Sequence, residues 1–290
     1  MKIAFVLVAH LPMDERVCFQ QAESLRKAGN EVFIISSRTN NCQLSNVHCF
    51  DDTGISKRVL ICKLFDLLSE IKPEIIICDN PISIIAANKY KKKLHKDILI
   101  FYDVTEWYPS KKNLRNLPFY KQIFKLFFLC LLSIYGAYLS DRFIFGEYYK
   151  AKPFRILFPL KKNIFLPYYA NIELIKRYPE RDIKKECKLF YSGSMTIEKG
   201  FDKVLDVAIR CAEIHKQTNF ILNIISGTEY YEFPCKIPDN LAFRKSKPLA
   251  FFEFCSEIGK SDIFFDLRTN DIENTRCLPI KIFYYMACNR

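Results

Sequence analysis

The stretch LFYSGSMTIEKGFDKVL, residues 189–205, decides how this chain is read. It runs from apolar, β-prone residues through small and polar ones to a lysine-glycine pair, and then into a helical pattern. The spacing predicts a strand, a turn holding Gly193 and Ser194, and a helix that starts just past Lys199 and Gly200. Glycine lets a ligand approach the backbone, and a helix N-terminus and a lysine both favour a phosphate. Neither G-x-G-x-x-G nor a Walker A sequence is present, which weakens dinucleotide and NTPase readings. Two readings of the turn stay open: an anion site, or a tight turn beside a solvated lysine.

The same alternation extends in both directions. Upstream, KIAFVLVA at 2–9 is a near-continuous apolar run of the kind that forms a strand covered on both faces. A helical pattern ending in Gly-Asn follows, then the strand EVFIISS at 31–37. Helices are predicted over 57–73 and 82–95, with strands at 74–79, 97–104 and 141–145. Downstream of the opening stretch come a helix over 200–216, strands at 219–227 and 262–267, and a helix within 248–261. Strand and helix thus alternate twice over, which predicts an α/β chain of two Rossmann-like, doubly wound domains, 1–168 and 169–290. Their boundary is the polar, charged segment NIELIKRYPERDIKKE.

Half of the 290 residues are hydrophobic, which supports a sizeable core and argues against long disorder. The excess of 44 Lys and Arg over 32 Asp and Glu gives a net charge of +12, suited to nucleic acid, an anionic membrane or phosphorylated small molecules. The densest basic run, KYKKKLHK at 89–96, reads first as a solvated helix face and second as a membrane-surface contact; with no glycine and Tyr90 its one aromatic, it lacks the interleaving that stacks on bases, so no nucleic-acid partner is expected. Twelve scattered cysteines with no C-x-x-C pair read as small core residues in a reducing, cytoplasmic compartment. The N-terminus lacks a small-residue cleavage site and reads as a first strand, not as a signal peptide. The uncharged segment LFFLCLLSIYGAYL, 126–139, is shorter than the ~20 residues that span a bilayer. It is predicted as a buried or interfacial helix, with Lys121 and Lys125 at a lipid headgroup layer.

Two further strand ends carry candidate chemistry. HLPMDERV after the first strand brings together His10, Asp14 and Arg16, where histidine exchanges protons near neutral pH and arginine clamps an anion. Helix capping by Asp14 and a solvated Arg16 is the plainer account of the same loop. YDVTEWYPS, 102–110, offers the carboxylates of Asp103 and Glu106 for hydroxyl groups, and Trp107 to stack on the apolar face of a sugar. An ordinary polar loop with Trp107 in the core is the alternative there. Close to the end, IKIFYYMA follows Pro279 with helical apolar spacing and by itself reads as a packing helix.

Taken together, these four stretches resemble the GT-B glycosyltransferases, specifically the retaining GT4, or group 1, family. HLPMDERVCFQQAESLRKAGNEVFII is similar to its opening pattern, YSGSMTIEKGFDKVLDVA to its donor-phosphate turn, and CLPIKIFYYMACNR to its P-x-K-x-F-E-Y-M-A-x-G helix. The resemblance implies two domains facing across a cleft, with acceptor on the first and nucleotide-sugar on the second. It implies metal-independent transfer with retention and no cofactor beyond the nucleotide-sugar substrate. Carried onto this sequence, Gly193, Ser194, Lys199, Lys281 and Tyr284 would bind the donor, His10, Asp103 and Glu106 would be catalytic, and Asp14, Arg16 and Trp107 would line the acceptor side. Thr105, Ser194 and Tyr284 stand where many relatives carry His, Arg and Glu, so more of the charge neutralisation would fall to Lys199. Relatives also continue past the point matching Arg290, which implies an incomplete second domain. The expected function is transfer of a sugar to a lipid-linked or polysaccharide acceptor at the inner face of a membrane. A non-catalytic truncated remnant is the alternative.

Overall fold

The computed structural model describes residues 1–39, 46–94, 97–105, 117–175, 179, 182–233, 236–270, 272–276 and 278–288. The chain divides into two compact units, Met1–Tyr168 and Tyr169–Arg290.

The first unit is built on a parallel sheet of β1 (Lys2–Leu7), β2 (Glu31–Ser36), β3 (Val47–Cys49), β4 (Ile75–Cys78), β5 (Leu99–Val104), β6 (Arg142–Phe145) and β7 (Asn163–Phe165), in the order β3-β2-β1-β4-β5-β6-β7. Ile3, Phe5 and Leu7 of β1 pack with Val17 and Ala22 on one face, while Ala4 and Val6 join the cluster of Leu64, Ile84 and Ile100 on the other. The period of two along a strand therefore feeds two cores, which is why β1 reads as unbroken apolar sequence. Helix α1 (Glu23–Lys27) is preceded by a π-helical segment, Glu15–Ala22.

Helix α2 (Lys57–Ile71) starts where the Ser56 hydroxyl accepts from the Val59 amide at 3.4 Å, and stops at Lys72 in the left-handed region, φ 56°. Leu60, Leu64, Leu68 and Ile71 recur on one face and are buried. Each such side chain contributes about 1.5–3 kcal/mol through burial. Helix α3 (Pro81–Leu94) covers the same face, and α4 (Phe119–Leu139) and α5 (Tyr148–Leu157) follow. The apolar helix is longer than its uncharged segment. It begins after Pro118, because Lys121 and Lys125 are good helix formers and do not interrupt it.

The second unit carries β8 (Glu186–Ser192), β9 (Asn219–Ile225), β10 (Leu241–Ser246) and β11 (Ile263–Phe265) as a parallel sheet in the order β10-β9-β8-β11. Helices α6 (Phe201–Ile214), α7 (Phe251–Ile258), α8 (Ile272–Thr275) and α9 (Ile280–Ala287) accompany it. Leu189 and Tyr191 pack with Phe201, Val204 and Ala208, while Phe190 faces Cys255, Tyr284 and Tyr285. Again one strand serves two cores by alternation.

A short 3-10 turn, Ile197–Lys199, joins β8 to α6 and closes on Gly200 at φ 70°. A Cβ at Gly200 would lie 1.5 Å from the Leu267 carbonyl oxygen, so only glycine lets this turn meet the segment after β11. The Glu198 carbonyl accepts from both the amide and the hydroxyl of Thr269, at 3.3 and 3.1 Å, and zips the two segments together. Gly200→Ala combines the left-handed cost of about 1–3 kcal/mol with a backbone clash. Urea unfolding should show a loss at least that large. A loss under about 0.5 kcal/mol, the surface-substitution scale, would show that the turn is not fixed in this way.

Candidate functional site

In open α/β sheets, ligands bind at the carboxyl ends of strands where the strand order reverses. In the second unit the chain runs outward from β8 to β9 and β10, then crosses back to place β11 on the other side of β8. The switch point is the carboxyl end of β8 and β11, where Gly193, Asp266 and Arg268 sit. Lys281, one residue into α9, reaches the same place.

Lys281 Nζ donates to the Ser192 carbonyl at 2.7 Å and pairs with Asp266 Oδ1 at 3.0 Å. Arg268 Nε pairs with the same oxygen at 3.1 Å. Burial pushes the Lys281 ammonium below its ordinary range; Asp266 opposes that, while Arg268 and Lys199 push it further down. One carboxylate thus holds two cations with a third, Lys199, adding its field at Lys281, and among the described residues Lys199 Nζ forms no ion pair. Two positive charges are left for an anion.

Backbone geometry keeps the place open. Gly193 holds φ 148°, and a Cβ there would stand 3.3 Å from the Tyr191 hydroxyl and 3.8 Å from Lys281 Nζ. The Tyr191 hydroxyl donates to the Ser194 carbonyl at 2.7 Å, and burial together with Asp266 pushes it up to about 12. Tyr191 therefore stays protonated and fixes the turn, with Lys281 Nζ 5.4 Å from its ring centroid. Ser194 is exposed beside it. Among the proposed donor contacts, Gly193, Lys199 and Lys281 come together. Tyr284 does not: it is 0% exposed, packed on Phe251 and Phe254, because the apolar face of α9 turns it into the core.

The first unit has its own switch point, between β1 and β4. There the Asp79 carboxylate accepts from the amides of Val8, Ala9 and His10 at 3.0, 2.9 and 3.3 Å. Burial pushes Asp79 up to about 6, against His10 and those amides. His10 stands with Nδ1 3.2 Å from Asp14 Oδ2 and Nε2 3.1 Å from the Thr105 hydroxyl. Burial acts to raise Asp14, but His10, the Val17 amide and Arg16 together hold it below the usual carboxylate range. Asp14 thus holds Nδ1, while Nε2 stands at the Thr105 hydroxyl. Lys150, buried and paired with Glu147 at 3.3 Å, donates to the Thr105 carbonyl and pins the end of β5.

Arg16 and Asp103 are spent on each other. Arg16 Nη1 and Nη2 donate to the two carboxylate oxygens at 2.5 and 2.8 Å, Gln21 adds 3.2 Å, and the guanidinium lies 4.9 Å from the Tyr168 ring centroid. Burial works against the charge on Arg16, but Asp103 more than offsets it and raises its pKa. The π-helical segment turns Arg16 and Gln21 inward together. With Asp103 only 2% exposed, this pair ties the first helical segment to β5 and is structural in its contacts. Glu106 and Trp107 lie outside the described residues. Asp79, Asp266 and Arg268 were not singled out from sequence, since each closes a strand end whose neighbours only the sheet order supplies.

Asp103→Ala would leave Arg16 charged and buried, at a cost of about 3–5 kcal/mol. The double variant Arg16→Met/Asp103→Leu should recover most of that loss in urea unfolding. A single variant as stable as the parent would remove the pair from the fold's supports.

No family model matches the chain, and no curated protein matches it. Solved structures do. HepE from Anabaena in complex with UDP and glucose aligns over 100% of this chain and 79% of its own, at 13% identity and a TM-score of 0.64. Sucrose-phosphate synthase from Thermosynechococcus elongatus aligns over 99% and 79%, at 11% identity and a TM-score of 0.64. The E. coli trehalose-6-phosphate structure bound with UDP-2-fluoro glucose aligns over 99% and 82%, at 12% identity and a TM-score of 0.62. These neighbours are GT-B glycosyltransferases, and the chain has the GT-B fold, with a Rossmann-like parallel sheet in each unit.

Proposed function

We propose that this chain is a glycosyltransferase that moves a sugar from a nucleoside diphosphate sugar to a lipid-linked or polysaccharide acceptor, with retention and without a metal ion. The observation that carries the reading is the cation excess at the β8/β11 switch point, where Arg268 and Lys281 share the Asp266 carboxylate and Lys199 adds its field at Lys281. A sugar-diphosphate bond breaks with negative charge accumulating on the departing phosphate, and preorganised cations stabilise that charge. The corresponding place in the first unit holds the Asp79 carboxylate, which supports the second unit as the donor side.

In this reading the bond from the anomeric carbon to the diphosphate oxygen breaks, its electrons leaving with the diphosphate, and the acceptor oxygen bonds to that carbon on the same face, so configuration is retained. His10, with Nε2 at the Thr105 hydroxyl, takes up the acceptor proton. Asp14 orients the imidazole, and the Arg16–Asp103 pair positions the loop that carries it. Glu106 and Trp107 belong to the acceptor side, and Ser194 to the donor turn. The reaction takes place in the cytoplasm, at the inner face of the membrane.

UDP, which HepE holds, is the probe. Charge-assisted hydrogen bonds contribute about 1.5–3 kcal/mol each, so Lys199→Ala should weaken UDP binding in calorimetry by about tenfold or more while leaving thermal stability unchanged. Because Lys281 has a lowered pKa and a bound diphosphate restores its proton, binding takes up protons in alkaline buffer. Affinity should therefore fall as pH rises through that range. UDP release from UDP-glucose with membrane extract should follow the same variants, and His10→Ala should lower kcat with UDP affinity unchanged. Equal UDP affinity for the parent and Lys199→Ala would overturn the donor site.

A further inference from the structure

Helix α4 is inverted with respect to a soluble surface helix. Its buried residues are Ser133, Gly136 and Ala137, all small, whereas Phe119, Phe124 and Phe127 are 78%, 76% and 64% exposed. Phe128, Leu131, Tyr135 and Tyr138 are exposed as well. The small stripe is what allows close packing: a Cβ at Gly136 would stand 3.0 Å from the Pro81 Cβ on α3. An outward face of large aromatic and aliphatic side chains marks an interaction surface.

Among the described residues, cations border the exposed part of this face, and the carboxylate beyond its far end, Asp141, is paired with Lys91. The helix contains no acidic residue. Lys121 and Lys125 are exposed within it, Lys57 Nζ lies 5.4 Å from the Phe128 ring centroid, and Arg58 is exposed beside Lys57. Lys161 Nζ donates to the carbonyls of Ala137 and Tyr138 at 2.7 Å each, and to that of Ser140, closing the end of the helix with another cation.

By length and composition α4 would cross a membrane. Its connections forbid it. The strands on either side, β5 and β6, are neighbours in one sheet, with Phe101 opposite Arg142, so both ends of the helix return to the same body. The part ahead of the packed residues, 119–132, reaches only about 21 Å at ~1.5 Å per residue, against a hydrocarbon core of about 30 Å.

We propose that α4 lies in the plane of an anionic lipid bilayer, with Phe119, Phe124 and Phe127 in the acyl boundary and Lys57, Lys121 and Lys125 at the headgroups. This names the surface on which the membrane part of the proposed function rests. Aromatic rings beside lysines suit that boundary, and the basic surroundings select anionic over zwitterionic lipid.

The full chain is floated with phosphatidylcholine vesicles and with vesicles that also contain phosphatidylglycerol. The parent should float with the anionic vesicles and not with phosphatidylcholine alone. Phe124→Asp/Phe127→Asp should abolish flotation, and Lys121→Glu/Lys125→Glu should weaken it by about tenfold or more, with high salt acting in the same direction. The altered residues are exposed, so circular dichroism should be unchanged. As a second measurement, Phe127→Trp should add a fluorescence component that shifts to the blue only with anionic vesicles. Equal flotation of the parent and the Phe124→Asp/Phe127→Asp variant would overturn the proposal. So would a parent that does not float but forms a dimer broken by that substitution, which would make a second copy the occupant. UDP affinity of the same variants should match the parent, which separates failure of this surface from failure of the donor site.

Discussion

The second unit depends on an unequal charge arrangement: one carboxylate, Asp266, holds Arg268 and Lys281 on a single oxygen, with Lys199 adding its field. Without Asp266, two cations would sit together beside the Ser192 carbonyl with nothing to order them. With it they are ordered yet under-neutralised. A site of this kind is costly to maintain when empty and would be strong when filled, because its cations are already held in place. The lowered Lys281 pKa is the visible trace of that cost.

The arrangement in turn requires two loops from distant parts of the chain to lie side by side. Gly200 permits this by having no side chain where the Leu267 carbonyl arrives, and the Glu198 carbonyl fastens Thr269 to it. The lysine-glycine pair is therefore one device: the glycine admits the neighbouring strand end, and the lysine before it is carried to the cations already there. Exposed Ser194 and hydrogen-bonded Tyr191 shape the opposite side of the same turn.

The alternation of strands and helices was legible because buried parallel strands leave long apolar runs, as in KIAFVLVA and EIIIC. β10 left none: of Leu241–Ser246 only Leu241 is buried, since this strand forms the edge of its sheet. β3 is three residues long with no buried one, and α5 contains Pro153, so neither gave a periodic signal. Lys199, Gly193 and Lys281 were readable from turn chemistry and resemblance. Arg268 and Asp266 were not, because their role comes from which strand lies next to β8. Asp103 reads as a free carboxylate in sequence, yet the π-helical segment supplies Arg16 to both of its oxygens. The exposure of α4 was hidden for a similar reason: composition gives its hydropathy, while only packing shows which side faces outward.

Asp79 acts on the first unit as a built-in competitor. Three amides at the end of β1 form a cradle that a dissolved anion would otherwise occupy, and the chain fills it with its own carboxylate. A tethered group of this kind has an effective concentration that free phosphate in a cell does not approach. The same strand-order reversal thus occurs in both units, and at the first of them the chain's own carboxylate holds the amides. On the proposed reading, inorganic phosphate would compete at the cations of the second unit and not at this cradle.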